Sequence, residues 1–382
     1  MKSYTTKFSN KIKYLFFAIG PGETSQARAL AKYISRRGGE IIFSLQQRVN
    51  LFFVAKDREF KVFVTETPIK LKRLIETKRP DVLLFFNSKA WNNYKSFIKG
   101  PPFQKPPICI AVDSNWLFNN KIYKNLRFSE WMDKYLVTIP KKIFRLGLKE
   151  NGGNFKIPRE NLKKIISVGF LPSFKKPSLK KKTKLKNKYK IKKTEKLIFA
   201  YFSGYGAEHK IWAFDNLVNS VDRLTKKGKK IKVIYVGPKK NLNRERIKRE
   251  WLIFKGKLAA EEFFLTLASS DLVFQHQGLA TLSQGVSAGI PIIANVARYK
   301  KSSLPNIHFW EVRPFEKAGV CFLFSKSSSI KKISKKIEKL IYNPAVRQEM
   351  QRKQKSVFER GEEKSFRVIK EIIKNKLPYH KM

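Results

Sequence analysis

The stretch Asp271–Pro291 reads DLVFQHQGLATLSQGVSAGIP. Leu272-Val273-Phe274 is a short apolar run of the kind that forms a buried strand. Gln275-His276-Gln277-Gly278 turns the chain. Leu279–Ala288 reads as a helix, with Leu282 and Val286 on one face. Gly289 stands just past its end, where a left-handed residue is common. Pro291-Ile292-Ile293 then opens another strand. Strand, glycine turn and helix N-terminus together make an anion-binding geometry. Free backbone N–H groups and the positive end of the helix dipole converge above Gly278. Thr281 adds a hydroxyl, and Gln284, one turn on, adds an amide suited to a sugar hydroxyl. His276, Gly278, Ala280, Thr281, Ser283 and Gln284 are therefore the candidate binding residues of this stretch.

Outward from there, the second half of the chain repeats the same alternation. Leu197–Phe202 reads as a strand, and the glycine loop Ser203-Gly204-Tyr205-Gly206 leads into a helix near Trp212–Leu224. Glycines after a strand let backbone N–H groups approach an anion closely. Lys232–Val236 and Trp251–Lys255 read as strands, Ala259–Ala268 as a helix and Val320–Phe324 as a last strand. Ile330, Ile333, Ile337, Leu340 and Ile341 mark an amphipathic helix. The polar tail from Pro344 to Lys376 reads as further helices.

The first half shows the same texture. Tyr14–Ile19, Glu40–Ser44, Phe60–Thr65, Val82–Phe86, Ile108–Val112 and Tyr135–Ile139 read as strands. Gln26–Arg37, Ile69–Lys78 and Trp91–Ile98 read as helices. Gly20-Pro21-Gly22-Glu23-Thr24-Ser25 is the loop after the first strand. Asp113 ends another strand, where it can act as a base or as a helix N-cap. Trp91, Tyr94, Phe97, Trp116, Leu117 and Phe118 form an aromatic, basic set that fits either an amphipathic membrane surface or plain core packing.

Apolar strands separated by helices predict parallel sheets covered on both faces. The expected fold class is α/β, with two Rossmann-like parallel-sheet domains facing a cleft. Residues 1–165 form the first domain, 166–196 a linker, 197–345 the second domain and 346–382 the terminal helices. Between Lys175 and Lys196 there are twelve lysines and one acid, Glu195. Such a run is either a solvated linker or helix face, or a contact for anionic partners.

The 382 residues carry 82 Lys and Arg against 29 Asp and Glu, a net charge of +53. The excess is spread along the whole chain. It fits the lysine-rich drift of an AT-rich genome, and equally a field for an anionic membrane surface or nucleic acid. An apolar fraction of 42% argues against wholesale disorder. Cys109 and Cys321 are the only cysteines, which leaves no disulfide framework and fits the cytoplasm. No apolar run approaches the ~20 residues that span a bilayer. No zinc-type Cys/His cluster or nucleic-acid module stands out, so the metal expectation is none.

The motifs carry a resemblance. His276-Gln277-Gly278-Leu279-Ala280-Thr281, followed by Gln284, resembles the H-C-G-W-N-S-x-x-E core of the UDP-glycosyltransferases. Gly278 to Gln284, followed by Gly289-Ile290-Pro291, is similar to the MurG-type (family 28) pattern G-x-x-T-x-x-E-x4-G-x-P. Ser203–Ala207 is similar to the G-G-S-x-G-A loop of the MurG-type donor domain. Gly20–Arg28 resembles the first glycine loop of these GT-B enzymes, roughly G-x-G-H-x-x-R, with Ser25 at the His position. Gln284 stands where the family carries an acid.

The resemblance implies a GT-B fold whose C-terminal helices cross back to the first domain. It implies inverting, metal-independent transfer of a sugar from a nucleotide-sugar, UDP-linked, to an acceptor hydroxyl, with no further cofactor. The acceptor would be a glycan or a lipid-linked molecule at the inner face of the membrane. Ser203, Gly204, Tyr205, Gly206, His276 and the Gly278–Gln284 set would hold the donor. Gly20, Gly22, Thr24 and Ser25 would line the acceptor loop. With Ser25 replacing the family His, Glu23 and Asp113 are the candidate bases. Two alternatives stay open: a GT-B protein that binds a sugar nucleotide without turnover, and a basic nucleic-acid-binding protein.

Overall fold

The computed structural model describes residues 11–86, 107–113, 132–150, 163–172, 174–202, 207–238, 242, 247–276, 278–296 and 307–377. The expected Trp91–Ile98 helix, the aromatics of 91–118 and the Ser203–Gly206 loop lie outside these residues. The first sheet contains β1 (Lys13–Ala18), β2 (Glu40–Leu45), β3 (Phe60–Val64), β4 (Val82–Phe86), β5 (Ile108–Asp113), β6 (Lys134–Val137) and β7 (Ile165–Ser167). Its order is β3-β2-β1-β4-β5-β6-β7. The second contains β8 (Lys196–Tyr201), β9 (Ile231–Val236), β10 (Leu252–Lys255), β11 (Leu272–Gln275), β12 (Ile292–Asn295) and β13 (Phe322–Phe324), in the order β10-β9-β8-β11-β12-β13. Every pairing in both sheets is parallel. Near-continuous apolar runs such as Val82–Phe86, buried at every position, belong in such sheets because helices cover both faces.

Helices α1 (Pro21–Ser35), α2 (Leu51–Val54) and α3 (Pro68–Lys78) connect the first strands. Helix α1 begins five residues earlier than its apolar periodicity predicts, so Gly22, Thr24 and Ser25 lie in helix rather than loop. Pro21 explains the early start, because its fixed φ is already helical and its missing N–H has no partner at a helix N-terminus. Three further helices, α4 (Lys141–Glu150), α5 (Leu179–Lys188) and α6 (Ala207–Thr225), follow β6, β7 and β8 in turn. Helix α5 is the lysine-rich segment. It is capped by the Ser178 hydroxyl and buries Leu185 alone.

The chain continues with α7 (Ala260–Ser269), α8 (Leu279–Ala288), α9 (Ile307–Lys317) and α10 (Ile330–Tyr342). The last two helices are α11 (Pro344–Val357) and α12 (Glu362–Lys376). Helix α11 stays with the second domain: the Gln354 amide donates to the Ile290 and Val320 carbonyls at 2.9 and 3.1 Å. Helix α12 crosses back, burying Ile369 and Ile373 with Phe16 and Phe43 of the first sheet. The two crossing segments bind one another. Phe170 N–H donates to Glu359 O at 2.8 Å, and Gly361 N–H donates to Phe170 O at 2.7 Å. Across the cleft, α1 packs on α8 and α4 packs on α9. Among the described residues no helix is long and apolar enough to cross a membrane.

Candidate active site at the N-terminus of α8

Helix α8 occupies the bounds its sequence predicts, Leu279–Ala288, and follows the carboxyl end of β11. Open parallel sheets bind ligands at that end. Gly278 is its N-cap, with φ of +105° and no side-chain cap. That conformation favours glycine. Among the described residues a Cβ placed on Gly278 meets nothing within 4 Å, so the space above the helix end is open there. The first N–H groups of α8 thus face an open site with the helix dipole behind them.

The wall opposite is α1. A Cβ placed on Gly22 would lie 3.3 Å from Ala280 Cβ, so the first turns of α1 and α8 touch. One turn further in, Gln284 Nε2 donates to Ser25 Oγ at 3.4 Å, between two buried side chains. Two helix N-termini therefore meet, and their positive ends add at one place. Thr24 is buried, and its hydroxyl donates to Gly20 O at 2.8 Å. Glu23 lies in the first turn of α1, its carboxylate folded back over Gly20, where a Cβ would fall 2.5 Å from Oε2. Asp113 closes β5, which β4 separates from β1, so its backbone stands about 10 Å from the strand that leads into Glu23.

On α8, Thr281 is buried in the first turn. The Ser283 hydroxyl donates to Ala280 O at 2.8 Å, back along its own helix. His276 is buried, its ring 6.1 Å from Phe202 and 5.8 Å from Trp212. Trp212, on α6, carries no signal of its own in the sequence beyond that helix.

Three residues escape sequence reasoning. Gln275 and Asn295 end β11 and β12 and are 0% exposed, and neither amide has a hydrogen-bond partner at either atom. Gln275 stands beside Ala294 and Tyr201 in the sheet, which places Asn295 next to His276 on the opposite face. Each buried polar group left without a partner costs about 1–3 kcal/mol. Gln284 Oε1 is a further acceptor without a partner. Glu311, on α9, is the third; its carboxylate is fully buried on the helix that packs against α4. Only atomic packing reveals these positions, because a single amide or acid among apolar residues has no sequence pattern.

The site is braced from behind. Arg28 Nε lies 2.5 Å and Lys32 Nζ 2.6 Å from the Asp57 carboxylate. Burial pushes that carboxyl up, but hydrogen bonds and charge from Arg28 and Lys32 hold it below the usual range. The Arg28 guanidinium also lies 5.1 Å over the Phe174 ring, which stacks on Phe264 of α7 at 5.4 Å. Burial pushes the Cys109 and Cys321 thiols up, so neither is suited to act as a nucleophile. Among the described residues no group of three His, Cys, Asp or Glu side chains gathers in a way that would hold a metal ion.

In sequence the chain matches no protein-family model and no curated protein. In structure it is similar to S. aureus MnaA, solved with UDP (TM-score 0.67, 14% identity, 95% of this chain and 96% of that one). It is similar to the Neisseria meningitidis UDP-GlcNAc 2-epimerase, solved with UDP-GlcNAc (TM-score 0.64, 14% identity, 95% and 100%). It is also similar to a glycosyltransferase from Rickettsia africae (TM-score 0.62, 15% identity, 96% and 100%). Two all-parallel sheets around one cleft, a last helix that returns to the first domain and these full-length likenesses identify the fold of the chain as GT-B.

Proposed function

We propose that this chain is a glycosyltransferase that takes a sugar from a nucleoside-diphosphate sugar, UDP-linked, and places it on an acceptor hydroxyl. The observation that carries the reading is the uncapped N-terminus of α8 under open space at Gly278, opposed by the N-terminal turn of α1. A diphosphate is the anion that two converging helix ends suit best, since it brings two charges to their combined positive field. Thr281 adds a hydroxyl to it. Gln284 Oε1 accepts from a ribose hydroxyl.

In the reaction the acceptor oxygen attacks C1 of the sugar, and the bond from C1 to the diphosphate oxygen breaks. The acceptor proton passes to a carboxylate, Glu23 at the start of α1 or Asp113 at the end of β5. Charge develops on the departing diphosphate, where the α8 N–H groups are already oriented. The acceptor, a glycan or lipid-linked molecule, and an anionic membrane surface that would fit the +53 charge complete the reading.

A second reading is favoured by Ser25, which offers no base where the resemblance expects His, and by the UDP-GlcNAc 2-epimerase among the similar structures. Such an enzyme would epimerise the sugar on its nucleotide. Titration with UDP, UDP-GlcNAc and single-stranded RNA at two salt concentrations tests the site. UDP binding on the order of millimolar or tighter, little changed by salt, supports it. Steeply salt-dependent RNA binding without a UDP response overturns it. Exchange of the sugar C2 proton with deuterated solvent, without an acceptor, selects the epimerase.

A further inference from the structure

Among the described residues, four large apolar side chains stand out in solvent: Val49, Phe52, Ile69 and Leu179, at 51, 55, 60 and 79% exposure. Single exposed apolar residues are ordinary, but three of these share one corner. Val49 and Phe52 follow the carboxyl end of β2, and Ile69 opens α3 just after the carboxyl end of β3. The two strands are neighbours at one edge of the first sheet. The fourth, Leu179, opens α5, which packs on α7 of the second domain. A chain of contacts joins the two places. Asp57, five residues after Phe52, binds Arg28, and the Arg28 guanidinium covers the ring of Phe174, five residues before Leu179.

Positive charge surrounds these side chains. Helix α5 carries Lys180, Lys181, Lys182, Lys184 and Lys186, and among the described residues none of the five pairs with a carboxylate; Lys188 alone does, with Glu262. Partial burial, and then the charges of Lys176 and Lys186, hold the Lys182 ammonium below its usual range. These lysines repel one another, and an anionic partner would relieve the repulsion. Arg48, Lys56 and Arg58 are exposed beside the apolar corner. The exposed acids there are Glu59 and Glu66, and Glu66 is already bonded to Lys70.

Apolar side chains ringed by lysine and arginine match a bilayer surface, where the first enter the acyl boundary and the second rest on anionic headgroups. Nucleic acid fits less well, because three of the four apolar residues are aliphatic and offer no ring for a base to stack on. A second copy of the chain would bring its own +53 charge against this one. We infer that Val49, Phe52, Ile69 and Leu179, with the lysines of α5, form a docking surface for an anionic lipid bilayer. The inference rests on the proposed transfer to a lipid-linked acceptor. It names the surface that would hold the cleft at that acceptor, since the carboxyl ends of β2 and β3 lie at the same end of the sheet as the β1 end that leads into α1.

The test is co-sedimentation of the full chain with phosphatidylcholine vesicles, with and without phosphatidylglycerol, at low and high salt, beside titration with UDP. Wild type should bind the anionic vesicles and leave the neutral ones. The triple variant Lys180→Gln/Lys181→Gln/Lys184→Gln should bind them at least tenfold more weakly, at about fivefold per lysine. A control of equal charge, Lys226→Gln/Lys227→Gln/Lys230→Gln in the turn before β9, should lose less than about threefold. Phe52→Ser and Leu179→Ser should each weaken vesicle binding by about fivefold, and the loss should persist at high salt. All these variants should keep the UDP affinity of wild type. Equal losses in the two triple variants overturn the inference, because they show charge spread over the whole chain at work. Unchanged vesicle binding by both Phe52→Ser and Leu179→Ser overturns it too. So does wild type that leaves anionic vesicles in solution, or that prefers single-stranded RNA to them, and either result leaves the nucleotide site standing if UDP still binds. Absence of UDP binding by wild type overturns the nucleotide-sugar reading instead, and the vesicle results then decide the docking surface alone.

Discussion

Gln284 of the second domain donates its amide to the Ser25 hydroxyl of the first, at 3.4 Å and across 259 residues of sequence. These are the two positions at which the chain departs from the motifs it resembles, and they touch. Where those motifs carry an acid and an imidazole, this chain carries a neutral, hydrogen-bonded pair. The amide's other atom, Oε1, is left as an acceptor facing no protein donor.

Gln284→Glu should therefore tighten UDP binding. A carboxylate accepts from ribose hydroxyls about twice as strongly as an amide, and it can accept from Ser25 Oγ–H, reversing the bond that Gln284 Nε2 now donates. A gain of about tenfold is expected by calorimetry. Gln284→Ala should weaken UDP by a similar factor.

Thr281 and Ser283 should separate. Thr281→Val removes a hydroxyl that has no bond within α8 and should weaken UDP by about five- to tenfold. Ser283 donates to Ala280 O, so Ser283→Ala should change the affinity by less than about twofold.

Much of this was legible in the sequence. Gly278 and Gly289 bracket an apolar helix, so the bounds of α8 follow from its two glycines, the second of which sits at φ of +70° past the helix end. The alternation of apolar runs yields both sheets. The start of α1 is not legible in the same way, because two glycines around Pro21 look like a loop, although proline at the first helical position starts a helix. Helix α5 has no apolar stripe and buries Leu185 alone, and α9 contains Pro314, so neither is marked by a clean helical period in the sequence. The contacts Gly22 with Ala280 and Ser25 with Gln284 are products of domain docking and leave no local trace. The Ser203–Gly206 loop falls outside the described residues.

Acid should loosen the brace behind the site. The Asp57 carboxyl lies below its unfolded value, near 4, so its contribution is complete above that value and is lost as pH falls through the lower, folded one. Asp57→Asn strands the buried Arg28 charge and should cost roughly 3–5 kcal/mol at pH 7. Urea unfolding should show that difference at pH 7 and a smaller one near pH 3.

The paired crossings should tolerate no side chain at their glycines. Gly169 has φ of +95°, and a Cβ there would fall 2.5 Å from Glu359 O, a backbone atom that cannot swing aside. Gly228 has φ of +77° with nothing within 4 Å. Gly169→Ala should therefore destabilise by several kcal/mol, from strain and overpacking together, and Gly228→Ala by only about 1 kcal/mol. Thermal melts of the two variants check this.

The central claim is that a nucleoside diphosphate sits in the open space above Gly278. Titration of UDP into wild type and Gly278→Trp tests it most directly, because an indole at that position occupies the space itself. The account predicts UDP binding by wild type on the order of millimolar or tighter and its loss in a folded Gly278→Trp protein. No response to UDP in wild type, or equal binding by both proteins, would contradict it.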